Sequence, residues 1–84
     1  MLVYKNYVTF SVLGKEINLI SEEFDTGRNT VAEIDNSYYY MGNEYPSISI
    51  AVDAWQELNG RLLSNEELVQ IMIDNKLPPE NVCY

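Results

Sequence analysis

The hydrophobic period of this sequence changes once, from two in the first half to about 3.6 in the second. Up to Met41, apolar and polar residues tend to alternate, as they do in half-buried strands. From Ser47 onward, apolar residues recur at the spacing of one helix face. Strands followed by helices predict a single α+β domain, in which an antiparallel sheet of three to four strands in the N-terminal half packs against two C-terminal helices. We expect the 84 residues to form this one domain.

The N-terminal half contains the signals of two β-hairpins. Residues 2–12 and 16–20 read as paired strands, with Gly14 in a two-residue type II′ turn that requires a positive φ. Turn-forming residues at 25–29 precede two further strands over 30–34 and 37–41, rich in β-branched and aromatic residues. Asp35-Asn36 between them predicts the second hairpin, and a single short helix over residues 30–35 is the alternative.

The C-terminal half predicts two helices, each with a recognisable end. The apolar face of the first helix would lie opposite Asp53 and Glu57, and it consists of Ile48, Ala51, Val52, Trp55 and Leu58. Gly60 suits the left-handed position after this helix, and Ser64 with Glu67 fits a capping box for the second. We expect Trp55 and Phe10 to anchor the core. The second helix should end before Pro78-Pro79.

The charged and sulfur-containing residues exclude most catalytic chemistry. The chain has 13 acidic residues, five basic residues, one cysteine and no histidine. A serine or cysteine nucleophile would therefore need a lysine as its base, and the lysines occupy positions that look solvated. The acidic segment 35–44 departs from a calcium loop, with Tyr39 and Gly42 at the wrong positions, and zinc signatures are absent. We expect no enzymatic activity, no cofactor and no metal site.

The net charge of −8 also argues against direct binding to nucleic acid or to anionic membranes. Three consecutive tyrosines, Tyr38 to Tyr40, would suggest a base-stacking platform only in a basic protein. The second helix should expose Glu66, Glu67, Gln70 and Asp74, which would repel a phosphate backbone. Without an apolar run of about 18 residues, a secretory leader or a second cysteine to pair with Cys83, the chain is expected to be cytoplasmic.

An acidic surface with few lysines imitates the charge of nucleic acid and would fit a basic groove on a DNA- or RNA-handling protein. In size, charge and lack of catalytic groups, the chain resembles the small inhibitors that phages make against host defence nucleases, such as anti-CRISPR proteins and anti-restriction DNA mimics. This resemblance is compositional and assigns no residue roles. Solubility is the alternative explanation of the charge. The predicted partner-binding residues form one patch of Glu33, Asp35, Tyr39, Glu44 and Tyr45 and a second of Asp53 and Glu57.

A second hypothesis assigns the chain to homo-oligomeric structural or regulatory modules that associate through apolar helix contacts. The apolar residues from Leu68 to Ile73 cover an arc of roughly 200°, which is wider than one packed helix face needs. Under this hypothesis, Val69 and Ile73 at the edge of the arc would form the self-contact.

Overall fold

A computed structural model describes residues 2–77 and confirms the α+β prediction. Four strands form one antiparallel sheet in sequence order, and two helices follow it. Among the described residues, neither helix is long and apolar enough to cross a membrane. The predicted helix end at Pro78-Pro79 and the lone Cys83 lie outside the described range. The elements are β1 (Leu2–Val12), β2 (Lys15–Phe24), β3 (Gly27–Ile34), β4 (Ser37–Gly42), α1 (Ile48–Asn59) and α2 (Asn65–Asp74).

The turn between β1 and β2 differs from its prediction. Val12 pairs with Lys15, so Leu13 and Gly14 are the two central residues, and both have positive φ, of 51° and 81°. Two positive values define a type I′ turn, whereas the type II′ turn predicted at Gly14-Lys15 was wrong. The glycine signal did not distinguish them, because a glycine satisfies the positive φ required at the second central position of type I′ as well as at the first of type II′.

The β3–β4 hairpin was predicted correctly. Asp35 and Asn36 have φ values of 48° and 64°, which again match a type I′ turn, and Ile34 pairs with Ser37 across it. Asp and Asn tolerate this left-handed backbone better than other residues with side chains. The alternative helix over residues 30–35 was therefore wrong. The returning strand β2 also continues beyond the predicted residue 20, to Phe24, and pairs with β3 over its last residues.

The core lies between one face of the sheet and the two helices. α1 contacts all four strands and α2 contacts β1. Trp55, with 7% of its surface exposed, was predicted correctly as a core residue, whereas Phe10 is half-buried at the edge of the core. The buried apolar residues are Val12, Ile17, Leu19, Ala32 and Ile34 from the sheet and Ile50, Ala51, Ala54, Trp55 and Ile71 from the helices.

The buried face of α1 is rotated relative to the predicted one. Ile50 and Ala54 are buried, whereas Ile48, Val52 and Leu58 are only half-buried. The buried contact of the helix combines the small Ala51 and Ala54 side chains with the larger Ile50 and Trp55. Ser47 caps the start of the helix, and Gly60, with a φ of 71°, ends it as predicted.

The predicted capping box at the start of α2 is confirmed. The Glu67 amide donates to Ser64 Oγ at 3.2 Å, and the Ser64 amide donates to Glu67 Oε1 at 3.0 Å. The Arg61 guanidinium also binds both carboxylate oxygens of Glu67, at 2.9 and 2.7 Å. These contacts favour the charged carboxylate, Arg61 most of all, and they lower the pKa of Glu67 from 4.5 to about 2.

The lowered pKa of Glu67 predicts an acid-dependent loss of stability. Because its pKa in the folded state is depressed, the stabilisation is complete above pH 4.5 and is lost as the pH falls toward 2. We expect Glu67→Gln to be less stable than the native protein at neutral pH and to approach it in stability near pH 2. Urea unfolding of both proteins across this pH range measures the difference, and a difference independent of pH would contradict the prediction.

Candidate protein-binding surfaces

The structure distributes the first predicted patch over several surfaces. Glu33 lies on the sheet face that points away from the helices, and Asp35 lies in the β3–β4 turn, where it forms an ion pair with Lys15 at 2.8 Å. Tyr39 is half-buried on the opposite, helix-covered face. Glu44 and Tyr45 lie in the loop that connects β4 to α1. These residues are close together in the sequence. The alternation of side chains along the strands, the β3–β4 turn and the loop after β4 nevertheless place them on different surfaces.

A groove between β4 and α1 brings together four of the seven predicted partner-binding residues. This acidic groove has a volume of about 670 Å³ and lies where α1 ends beside the sheet. Its apolar part comes from β4 and from Leu62 after α1, and its charged part comes from α1, from Glu44 before it and from Arg61 after it. The residues that line it are Tyr39, Met41, Glu44, Asp53, Gln56, Glu57, Gly60, Arg61 and Leu62.

The groove has three carboxylates and one guanidinium, and the guanidinium is already engaged. Arg61 binds Glu67 through two hydrogen bonds and lies over the Trp55 ring, 4.9 Å from its centroid. Within residues 2–77, neither Glu44, Asp53 nor Glu57 forms an ion pair. The same range contains no group of three acidic or cysteine side chains placed to hold a metal ion. The arrangement suits a cationic side chain from another protein.

The loop that carries Glu44 is attached to the sheet by Arg28 and Thr30. The Arg28 guanidinium forms an ion pair with Glu23, lies 3.4 Å from the Tyr45 ring centroid and donates to the Asn43 carbonyl. Hydrogen bonding to Glu23 is the main reason why the pKa of Arg28 is raised. The Thr30 hydroxyl donates to the Glu44 carbonyl at 2.5 Å. Tyr45, predicted to contact a partner, therefore already packs against Arg28.

The face of the sheet opposite the helices carries a second, more apolar surface that the sequence analysis did not predict. Register places Tyr7, Ile20, Val31 and Tyr40 directly opposite one another on successive strands. We call these four residues the apolar row. Tyr7 and Tyr40 are each 63% exposed, and Ile20 and Val31 are half-buried. Alternation along a single strand shows which of its residues share a face, but only the strand register shows that these four residues align.

Polar rows flank the apolar row on both sides. On one side, Thr9 donates to Asn18 Oδ1 at 2.7 Å, Asn18 donates to Glu33 Oε1 at 3.2 Å, and hydrogen bonding to Glu33 raises the pKa of Tyr38. The other side contains Lys5, Glu22 and Asn29, and the Tyr40 hydroxyl donates to Asn29 Oδ1 at 3.0 Å. We use the name open face for the apolar row together with these two polar rows.

The residues predicted for self-association both lie on α2, and they differ in exposure. Ile73 is 52% exposed, whereas Val69 is half-buried. Ile71 is the buried residue of this helix, so the wide apolar arc is only partly covered by the described residues.

No protein-family model matches the sequence, and comparisons with curated proteins and with solved structures also give no match.

Proposed function

We propose that this chain is a non-enzymatic acidic inhibitor that occupies a basic, nucleic-acid-binding surface of another protein in the cytoplasm. A counter-defence protein of a phage or mobile element, of the anti-CRISPR or anti-restriction type, would act in this way. The acidic groove is the observation that carries the proposal: Glu44, Asp53 and Glu57 have no ion-pair partner among the described residues, and Arg61 is held by Glu67.

This groove offers both negative charge and apolar surface to a lysine or arginine side chain of the partner. The carboxylates would bind the charged end group, and Tyr39 with Met41 would pack against the aliphatic stem. The Coulomb attraction between two unit charges 4 Å apart is about 1 kcal/mol in water and about 4 kcal/mol near a protein surface, and exposed pairs typically retain about 0.2–1 kcal/mol of net free energy. The net charge of −8 would also accelerate association with a basic surface, and this effect weakens as salt rises.

Charge reversal in the groove tests the proposal. We expect Asp53→Lys combined with Glu57→Lys to abolish salt-sensitive capture of a nucleic-acid-binding protein from nuclease-treated bacterial lysate. Both residues are exposed on α1, so the variant should keep its fold. The captured partner should also be released by added DNA, because DNA and the acidic groove would compete for one basic surface.

A matched variant separates the groove from net charge. Glu66→Lys combined with Asp74→Lys makes the same change in charge on exposed positions of α2, away from the groove. We expect this control to capture the partner nearly as well as the native protein. Equal loss in both variants would show that total charge matters and the groove does not, and unchanged capture by the groove variant would remove α1 from the interface.

The second candidate function is a homo-oligomeric structural or regulatory module. The half-exposed Ile73 beside Val69 on α2 favours it, because a large apolar side chain at this position gains by burial against another copy. Ile73→Glu should then convert an oligomer into a folded monomer. Sedimentation of the native protein decides this point, since a monomer at micromolar concentration would exclude self-association through α2.

A further inference from the structure

The open face has the anatomy of a protein–protein interface. Interfaces typically have an apolar centre, enriched in tyrosine, and a polar rim that supplies hydrogen bonds and ion pairs. The apolar row forms such a centre across all four strands, and its two terminal tyrosines are each 63% exposed. The helices cover only the opposite face, so no described element of this chain packs on the row.

The rim of the open face is organised before any partner binds. Side-chain hydrogen bonds join Thr9, Asn18 and Glu33 on three successive strands. Tyr38, which lies directly opposite Glu33 on the neighbouring strand, extends this rim to the fourth strand. Tyr40, at one end of the apolar row, is held by Asn29 in the opposite rim. Side chains that are already restrained lose less conformational entropy on binding, which favours association with a flat surface.

The charges of the open face indicate which occupant fits. It carries two carboxylates, Glu22 and Glu33, against one ammonium group, that of Lys5. Lys5 lies 5.4 Å from the centroid of the Tyr7 ring, next to Glu22. A second copy of this chain would bring the same carboxylates face to face, within a pair that carries −8 on each member. Like charges brought together in this way oppose self-association.

We propose that the open face binds a flat protein surface that has an apolar centre rimmed by lysine or arginine. The apolar row would pack on that centre, and the carboxylates of Glu22 and Glu33, on the two sides of the row, would pair with the cationic rim. This site is separate from the acidic groove, which lies on the helix side of the sheet. The chain would then contact basic partners through two surfaces.

The test uses three short synthetic peptides and the amide NMR spectrum of the full chain. One peptide has a tryptophan–leucine centre and lysines at both ends, the second has glutamates at the ends, and the third has lysines at the ends and a serine centre. We expect the first to shift the amides of the apolar row. The other two should bind the open face at least about tenfold more weakly, because each lacks one half of the complement.

Variants then assign the binding to the row. Tyr7→Thr combined with Tyr40→Thr removes both exposed rings and keeps a residue that favours strands, so the sheet should persist. We expect this variant to lose the open-face shifts. Tyr4→Thr is the matched control, because Tyr4 is an exposed tyrosine of β1 on the other side of the sheet. The groove variant, Asp53→Lys with Glu57→Lys, should retain the open-face shifts, which separates this site from the proposed function.

Four results would overturn the proposal. The first peptide, with a tryptophan–leucine centre and lysine ends, would shift only the residues of the acidic groove. The glutamate-flanked peptide would bind the open face as well as the first peptide does. The open-face amides would shift with protein concentration when no peptide is present. This third result would identify a second copy as the occupant. Retention of the open-face shifts by Tyr7→Thr with Tyr40→Thr, in a spectrum that shows a folded protein, would likewise remove the row from the site.

Discussion

Replacing Trp55 with alanine is expected to bring the domain close to global unfolding. Its side chain is 7% exposed and lies at the centre of the α1 contact with the sheet, beside Ala51 and Ala54. Truncating a buried tryptophan typically costs about 3–5 kcal/mol, and domains have total stabilities of about 5–15 kcal/mol. A chain of 84 residues buries a small core, which favours the lower part of that range. Arg61 would also lose the ring over which it lies.

Urea unfolding followed by circular dichroism measures the loss, with Trp55→Phe as the matched control. The Trp55 indole nitrogen is buried without a hydrogen-bond partner among the described residues, so phenylalanine removes an unpaired donor while keeping an aromatic ring. We expect the phenylalanine variant to lose much less stability than the alanine variant. If Trp55→Ala unfolds at the same urea concentration as the native protein, Trp55 does not anchor the core.

Asn75→Ala is expected to cause the second largest loss, by releasing α2 from the edge of the sheet. The Asn75 side chain accepts from the Ser11 amide at 2.9 Å and donates to the carbonyls of Ser11 and Ile71, at 2.6 and 2.8 Å. Asn75 therefore makes the two hydrogen bonds to the Ser11 backbone that a further strand would make at this edge of the sheet. Removing it leaves the partly buried groups of Ser11 unpaired, for which we expect a cost of about 1–3 kcal/mol.

The matched control is Asn59→Ala, at the end of the other helix. Asn59 makes one side-chain bond, to the Trp55 carbonyl at 2.9 Å, and it does not connect its helix to the sheet. Amide hydrogen exchange should show faster exchange at Ser11 in Asn75→Ala but not in Asn59→Ala. Equal stability losses in the two variants, with Ser11 still protected, would show that Asn75 does not hold α2 against β1. The freed strand edge should also make Asn75→Ala more prone to aggregate.

The positions of the charges refine the comparison between mimicry and solubility. Within residues 2–77, three of the five basic side chains form ion pairs with acidic side chains: Lys15 with Asp35, Arg28 with Glu23 and Arg61 with Glu67. The remaining acidic side chains of the described range lie on several surfaces, with the groove, the open face and α2 each carrying some of them. The groove and the open face combine carboxylates with apolar side chains, which solubility alone does not require.

Much of the fold could be predicted because its signals are local. The change of period near residue 46, the Asp35-Asn36 turn, the capping box at Ser64 and the end of α1 at Gly60 each depend on residues only a few positions apart. The type of the first turn could not be predicted, since one glycine suits two turn types. The buried face of α1 was also rotated, because hydrophobicity ranks Val52 above Ala54 while close packing favours the smaller residue.

The sequence by itself determined the class of the fold, the order of its elements and a strongly acidic, histidine-free composition. Only the tertiary structure decided which side chains share a surface. Strand register aligned Tyr7, Ile20, Val31 and Tyr40 from four strands, and the packing of α1 against β4 brought Asp53 and Glu57 beside Glu44 and Tyr39. Both arrangements depend on pairing between residues far apart in the chain, whose side-chain positions are set by backbone geometry and core packing rather than by local preference.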